Sequence, residues 1–428
     1  MPHRVLILAE SCNPEWPSLP VVGYKYARAL AKVADVTVVT QVRNRENIEK
    51  EGDLGAPVVY IDNEWIAYPI YRMSQLLRGG REVAWSTNQM LNYLPYVEFE
   101  RRAHRHFRDD LRKGAFDIVH RITPMSPTMP SYVAGRTRQP FVIGPLNGNL
   151  DWPDAFHAEQ KRERETLRKF RHLYRHLPYS KRSFTEAKAI LAAFPHTIAD
   201  LPDATRPQTV SFPEIGFDEA LFNDTGRKPA FSGPGPYKFL FAGRLVPYKV
   251  PEAAIRAFAT SERLKPHSLH VVGDGPELDR LRAIVAEAGA LDRIHFEGRK
   301  SQAEVADFMR DSDAFIFPSI RELGAGVVIE AMACGMTCLV TNYGAPGHLV
   351  GQDRGVRVPL QPIDGLVDAY RAVMEDALDR PADFTAMAAR GRDYAFGNFT
   401  WDAKATHTIR IYDALMEGAP PPAIEAYS

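Results

Sequence analysis

Two carboxylates, Glu322 and Glu330, stand with seven residues between them in the stretch RELGAGVVIEAMACG. Ionised carboxylates accept hydrogen bonds from the hydroxyls of ribose or of a sugar ring. The apolar run AFIFPSI precedes them and reads as a buried strand. The chain then turns through Leu323, Gly324, Ala325 and Gly326 into Val327 and an apolar segment that reads as a helix, with Glu330 near its start. A strand, a glycine-bearing turn and a helix bring backbone N–H groups and the positive end of a helix dipole to one place, which suits phosphate. Upstream, FAGRLVPYK sets Gly243 and Arg244 just after a strand and Lys249 five residues further on, at the approach to a helix. Two fixed cations at a strand end suit a diphosphate, whose oxygens become more negative as a bond to it breaks. A pair of solvated surface cations is the bland alternative. VVGDGPELDRL places Gly273 and Gly275 between a strand and a helix, but Leu278 occupies the third-glycine position of the dinucleotide fingerprint. A tight turn is therefore favoured over a nicotinamide site. In FEGR, Phe296, Gly298 and Arg299 mark a strand end that faces a nucleobase or simply turns.

The elements that position these residues repeat a simple unit. RVLILAE reads as a strand, SCNPEWPSLPVV as a loop, GYKYARALAKVA as a helix and DVTVVTQ as the next strand. Such alternation predicts a parallel α/β sheet. FDIVHRIT and PFVIGPLNGN continue it. A polar, Gly- and Pro-rich stretch at 223–238 reads as a linker, and the alternation restarts beyond it. Ser301 and Glu304 form a capping-box pattern that opens another helix. With 428 residues, two domains are expected: 1–222, completed by a helix at about 400–428, and 239–399. The formal net charge of zero gives no reason to expect nucleic acid. The first apolar run, VLILA, is too short for a signal-peptide core or a membrane span. Cys12, Cys334 and Cys338 form no CxxC pair, and no His-rich metal pattern is present. Reduced thiols in the cytoplasm are the expectation.

The motifs F-x-G-R-L-x-x-x-K, V-x-G-D-G-P, F-x-G and F-P-S-x-x-E, then seven residues to E-A-M-A-C-G, together resemble the retaining glycosyltransferases of family four (group 1). The resemblance runs over 238–350 and implies a GT-B architecture: two doubly wound Rossmann-like domains facing across a cleft, closing about 223–238. It implies a nucleotide-diphosphate sugar as co-substrate, an acceptor hydroxyl, no tightly bound cofactor and no metal. Arg244 and Lys249 would hold the donor diphosphate, Glu330 the ribose hydroxyls and Glu322 the hydroxyls of the transferred sugar. Backbone at Gly243, Gly275, Phe296, Gly298 and Arg299 would line the phosphate and base sites. Gly324, Ala325, Gly326 and Val327 would line the sugar pocket. Gly23 matches a glycine that lets backbone approach the donor phosphate or acceptor. His120 resembles a histidine near the donor sugar; a satisfied structural histidine is the other reading.

Two departures from the family pattern stand out. Leu323-Gly324-Ala325-Gly326 replaces the usual Phe-Gly pair after the first glutamate, which leaves the sugar open. At the end of FVIGPLNGN, Asn147 and Asn149 stand where a Thr-x-His ending is usual, as hydroxyl-binding candidates or as turn residues. Residues 161–182 are strongly basic, with Leu167, Phe170, Leu173, Tyr174 and Leu177 at helical spacing. They read as a helix lying on an anionic membrane near a lipid-linked acceptor, or as a solvated face over a core stripe. A sugar-nucleotide sensor without catalysis and a GT-B epimerase or phosphorylase remain the rival functions.

Overall fold

The computed structural model describes residues 2–78, 85–163 and 174–427. They divide into two compact units, one drawn from 1–149, 165–214 and 401–428, the other from 150–164 and 215–400.

In the first unit the strands are β1 (Arg4–Ala9), β2 (Asp35–Gln41), β3 (Val58–Ile61), β4 (Ile118–Thr123), β5 (Phe141–Leu146), β6 (Ala189–Ala192) and β7 (Thr209–Ser211). They pair in parallel in the order β3-β2-β1-β4-β5-β6-β7. Strands such as IVHRIT are buried along their whole length, as a sheet covered on both faces requires. The helix after β1 spans Leu19–Ala31 and so starts four residues before the expected Gly23. Pro20 explains the difference, because proline is tolerated in a first turn whose N–H groups lack helical partners. The helix Trp401–Met416 packs on it, with the Tyr26 and Thr408 hydroxyls 2.6 Å apart and Lys32 2.7 Å from Asp402.

The second unit contains β8 (Lys238–Ala242), β9 (Ser268–Val272), β10 (Ile294–Gly298), β11 (Ala314–Phe317), β12 (Thr337–Thr341) and β13 (Gly355–Val358). All pair in parallel, in the order β10-β9-β8-β11-β12-β13. Phe239, Phe241, Phe258, Leu281, Ile316 and Tyr370 are fully buried in its core. Each such side chain contributes roughly 1.5–3 kcal/mol relative to exposure. Ser301 caps the helix Gln302–Arg310 through the expected reciprocal bonds with Glu304. In each sheet the strand order reverses once, between β1 and β4 and between β8 and β11. Open α/β sheets bind ligands at the carboxyl ends of strands flanking such a switch point.

The expected linker at 223–238 is not loose. The Arg227 guanidinium donates to the carbonyls of Met309, Cys334 and Ser312, and Asp313 accepts from the Phe231 and Lys238 N–H groups. This stretch is fastened to the second unit, and the chain leaves the first unit after Glu214. Residues 150–163 likewise count to the second unit, because Trp152 and Phe156 are buried in its core. Within the basic segment, residues 164–173, with Leu167, Phe170 and Leu173, lie outside the described residues. Tyr174 is buried in the first unit's core with Leu177 packed against it. Among the described residues no helix is long and apolar enough to cross a membrane.

Candidate active site

At the second unit's switch point, β8 is followed by Gly243 and Arg244 and β11 by Pro318 and Ser319. Arg244 is exposed, whereas Lys249 is 9% exposed. The Lys249 ammonium meets the Glu322 carboxylate at Oε1 and lies 4.7 Å above the centre of the Phe317 ring. The Ser319 hydroxyl donates to the same Oε1 at 3.1 Å and lies 3.2 Å from the Tyr248 carbonyl, which also accepts the Ile320 N–H at 2.9 Å. The two side chains assigned separately to diphosphate and to sugar therefore form one charge-paired cluster. Ser319 ties it to the loop carrying Lys249, a role the P-S-x-x-E spacing could have signalled. The Glu322 carbonyl accepts the Ala345 N–H at 3.1 Å, so the turn is held from its backbone as well.

The helix after the turn spans Gly326–Ala333, preceded by Ala325 at φ 52° in the left-handed region. Glu330 is its fifth residue, one turn in, rather than near the start as the sequence suggested. It is half-buried, as are Gly324, Gly326 and Val327. The helix N-terminus thus falls at Gly326, beside the turn that carries Glu322.

The glycine turns at the ends of β8, β9 and β10 are laced together. The N–H of Gly243 donates to Val272, that of Gly273 to Gly298 and that of Leu245 to Asp274, at 2.8–3.0 Å. A β-carbon on Gly273 would run into the Gly243 carbonyl, and one on Gly275 into that of Leu245. Both glycines thus have a packing reason for being glycine. Phe296 is half-buried under the Arg282 guanidinium, and Arg299 is exposed. Glu297, between Phe296 and Gly298, accepts a hydrogen bond from His270 Nδ1 at 2.8 Å; sequence reasoning passed over this pair.

The residues expected on the first unit fare differently. His120 is fully buried in β4, with Nε2 2.8 Å from the Gly144 carbonyl and Nδ1 2.6 Å from the Tyr412 hydroxyl. A carbonyl can only accept, so Nε2 carries the proton and Nδ1 accepts from Tyr412. With both nitrogens occupied inside the core, the expected place beside a donor sugar gives way to a structural role. Burial pushes its pKa down to about 4, against about 6.5 in an unfolded chain. Between those values the unfolded chain takes up a proton that the fold refuses, so stability falls as pH drops from 6.5 to 4, by roughly 3 kcal/mol. Urea unfolding at pH 7 and 4.5 should show this loss. His120→Gln should flatten it; an unchanged pH slope in that variant would contradict the assignment.

Asn147 is also internal. Its amide donates to Glu214 at 2.5 Å, and its carbonyl lies 3.3 Å from the Thr197 hydroxyl. Asn149 sits at φ 66°, the left-handed position that asparagine tolerates. The Asn147 side chain is thus engaged inside the first unit, and the backbone of half-buried Asn149 fits the turn alternative. Gly23 lies inside the helix Leu19–Ala31, where a β-carbon would strike the Ser11 carbonyl and approach the Thr123 methyl at 3.0 Å. Its lack of a side chain is what lets this helix sit on the ends of β1 and β4.

Two units of this topology make the architecture GT-B, and solved glycosyltransferases share it. A sucrose-phosphate synthase from Thermosynechococcus elongatus superposes with a TM-score of 0.65 at 16% identity, over 97% of this chain and 100% of that one. Residues 223–390 match the family model described as "Glycosyl transferases group 1". Among curated proteins, the glycogen synthase of Mycobacterium tuberculosis is 29% identical over 205 residues, 47% of this chain and 48% of its own. The D-inositol 3-phosphate glycosyltransferase of Kineococcus radiotolerans is 32% identical over 198 residues, 42% of this chain and 44% of its own. The chain spans about half the length of the curated relatives it matches.

Proposed function

We propose that the chain is a glycosyltransferase that moves a sugar from a nucleotide-diphosphate sugar to an acceptor hydroxyl with retention of anomeric configuration. The observation that carries this reading is the Lys249–Glu322–Ser319 cluster at the second unit's switch point, beside a helix N-terminus, within the stretch that matches group 1 glycosyl transferases. The names of the relatives, a glycogen synthase and an inositol phosphate glycosyltransferase, support transfer to a hydroxyl without fixing which one.

In this mechanism Arg244, Lys249 and the N–H groups at Gly326 stabilise the departing diphosphate as the bond from sugar C1 to oxygen loosens into an oxocarbenium-like state. Their fixed charge is the reason no metal is called for. Glu322 accepts hydrogen bonds from sugar hydroxyls, and Glu330 from the ribose. The departing phosphate oxygen takes the proton of the acceptor hydroxyl on the face it leaves, and the acceptor oxygen bonds C1 on that same face. No protein carboxylate is placed as a nucleophile. Products of this kind are polysaccharides, glycolipids or glycosylated small molecules. Three free, buried cysteines fit a reducing compartment, and we place the reaction in the cytoplasm. A lipid-linked acceptor at the membrane rests on the 161–182 sequence alone, and liposome co-sedimentation with anionic lipid tests it.

The experiment for the reaction is incubation with a panel of sugar nucleotides and hydroxyl acceptors, followed by NMR of the product. The anomeric proton coupling should match that of the donor. Inversion, or nucleotide release with no acceptor dependence, would overturn the reading. Glu330→Ala should weaken nucleoside diphosphate binding about ten- to a hundredfold, as loss of a charged hydrogen bond of about 1.5–3 kcal/mol implies. Titration calorimetry reads this directly, and an unchanged affinity would remove Glu330 from the ribose site.

A further inference from the structure

A strap from the sequence's first half, residues 150–163, belongs to the second unit and packs against the turn that carries Glu322 and the turn that carries Lys249. Its first residues grip the Glu322 turn. The Arg321 guanidinium lies 5.3 Å above the centre of the Trp152 ring, within the range of a cation–π contact. Trp152 itself is only 7% exposed, with its side chain part of the same core cluster as Leu245, Val250 and Ile320. The Tyr343 hydroxyl donates to the Asp151 carbonyl at 2.9 Å. Gly344, at φ 62°, is so closely enclosed that a β-carbon would lie 2.7 Å from both the Glu322 carbonyl and the Leu150 side chain. Further along, the strap's helix His157–Glu163 packs on the 247–249 turn that carries Lys249. Arg162 anchors the strap to Glu277 at 2.9 Å.

We propose that Trp152 is a positioning residue for donor-sugar recognition: by stacking under Arg321 it fixes the turn that presents Glu322 and the atypical Leu323-Gly324-Ala325-Gly326 sequence. The placement carries the argument. Arg321 and Glu322 are adjacent in the chain, so a guanidinium held on a buried indole restricts the backbone from which the carboxylate projects. Glu322 is already constrained through Oε1 by Lys249 and Ser319, and the strap adds a restraint through the neighbouring Arg321. Sequence order hides this, because Trp152 lies 169 positions before Arg321 by subtraction of their numbers. The sugar pocket is where the turn departs from its family's pattern, and the strap supplies the surface on which that turn rests. This inference rests on the proposed transferase reading for its sugar, but not for the ordering of the turn.

The test uses the full chain and the variants Trp152→Ala and Trp152→Phe, each first shown to melt within a few degrees of wild type. In the unliganded protein, hydrogen exchange at the amides of 321–327 should quicken about tenfold in Trp152→Ala while the β8–β9 strands stay protected. In calorimetry with UDP-glucose, UDP-N-acetylglucosamine, GDP-mannose and ADP-glucose, whichever sugar nucleotide the wild type binds should bind about tenfold more weakly to Trp152→Ala. The matching nucleoside diphosphate should change less than twofold. Trp152→Phe, which keeps an aromatic face, should restore most of both signals. Unchanged exchange at 321–327, or an equal loss for sugar nucleotide and nucleoside diphosphate, would overturn the proposal. If the wild type binds none of the probes, the transferase reading fails, and the exchange measurement still decides whether Trp152 orders the turn.

Discussion

Lys249→Met is expected to lower turnover by about two to three orders of magnitude, the scale on which removal of one preorganised charge-stabilising group acts. Methionine keeps the buried stem and removes the charge. Two losses then coincide. The departing diphosphate loses one of its two cations, and Glu322 loses the partner that balances its largely buried carboxylate, leaving Ser319 on Oε1. An unpaired carboxylate in such a setting costs several kcal/mol unless it takes up a proton or moves. The variant should therefore also bind sugar nucleotide in an altered pose, so kcat and KM both change. Initial rates over a donor series check this; near wild-type kcat/KM would remove Lys249 from the charge-stabilising role.

Gly273→Ala is expected to destabilise the second unit by about 3 kcal/mol or more, the upper range for a strained backbone site. Gly273 stands at φ 142°, and its missing β-carbon position is filled by the Gly243 carbonyl. A side chain there would prise β9's turn from β8's and break the lacing among three adjacent strand ends. Gly289, at φ 62° with nothing within 4 Å of its β-carbon position, gives the comparison. Gly289→Ala carries only the left-handed backbone penalty of about 1 kcal/mol. Chemical denaturation of the two variants should separate them by about 2 kcal/mol. Equal losses would mean that the close approach at Gly273 is not what demands glycine.

The legible parts of this chain were those that local chemistry fixes. Short apolar runs between turns marked strands such as KFLFA and AFIF, because a strand buried on both faces must be apolar throughout. Ser301 and Glu304 announced their cap because both partners lie within one turn. The motif spacing led to Arg244, Lys249, Glu322 and Glu330 without disclosing that Lys249 and Glu322 face each other. That pairing depends on β8 and β11 being neighbours, which no local pattern encodes. His120 shows the same limit from the other side. A histidine at a strand end looks alike in sequence whether it faces a ligand or, as here, Tyr412 nearly 300 residues later. The 223–238 stretch has a linker's composition, yet Arg227 and Asp313 bind it to the second unit. Trp152 could not be placed at all from its neighbours, since the surface it fills is made by residues far along the chain.

The most direct test of the central claim is a calorimetric titration of wild type, Lys249→Met and His120→Gln with the panel of sugar nucleotides. The account predicts that at least one of them binds the wild type, that its affinity falls at least tenfold in Lys249→Met, and that His120→Gln binds it as the wild type does. Undiminished binding by Lys249→Met, or a loss caused by His120→Gln alone, would contradict the placement of the donor on the Lys249–Glu322 cluster.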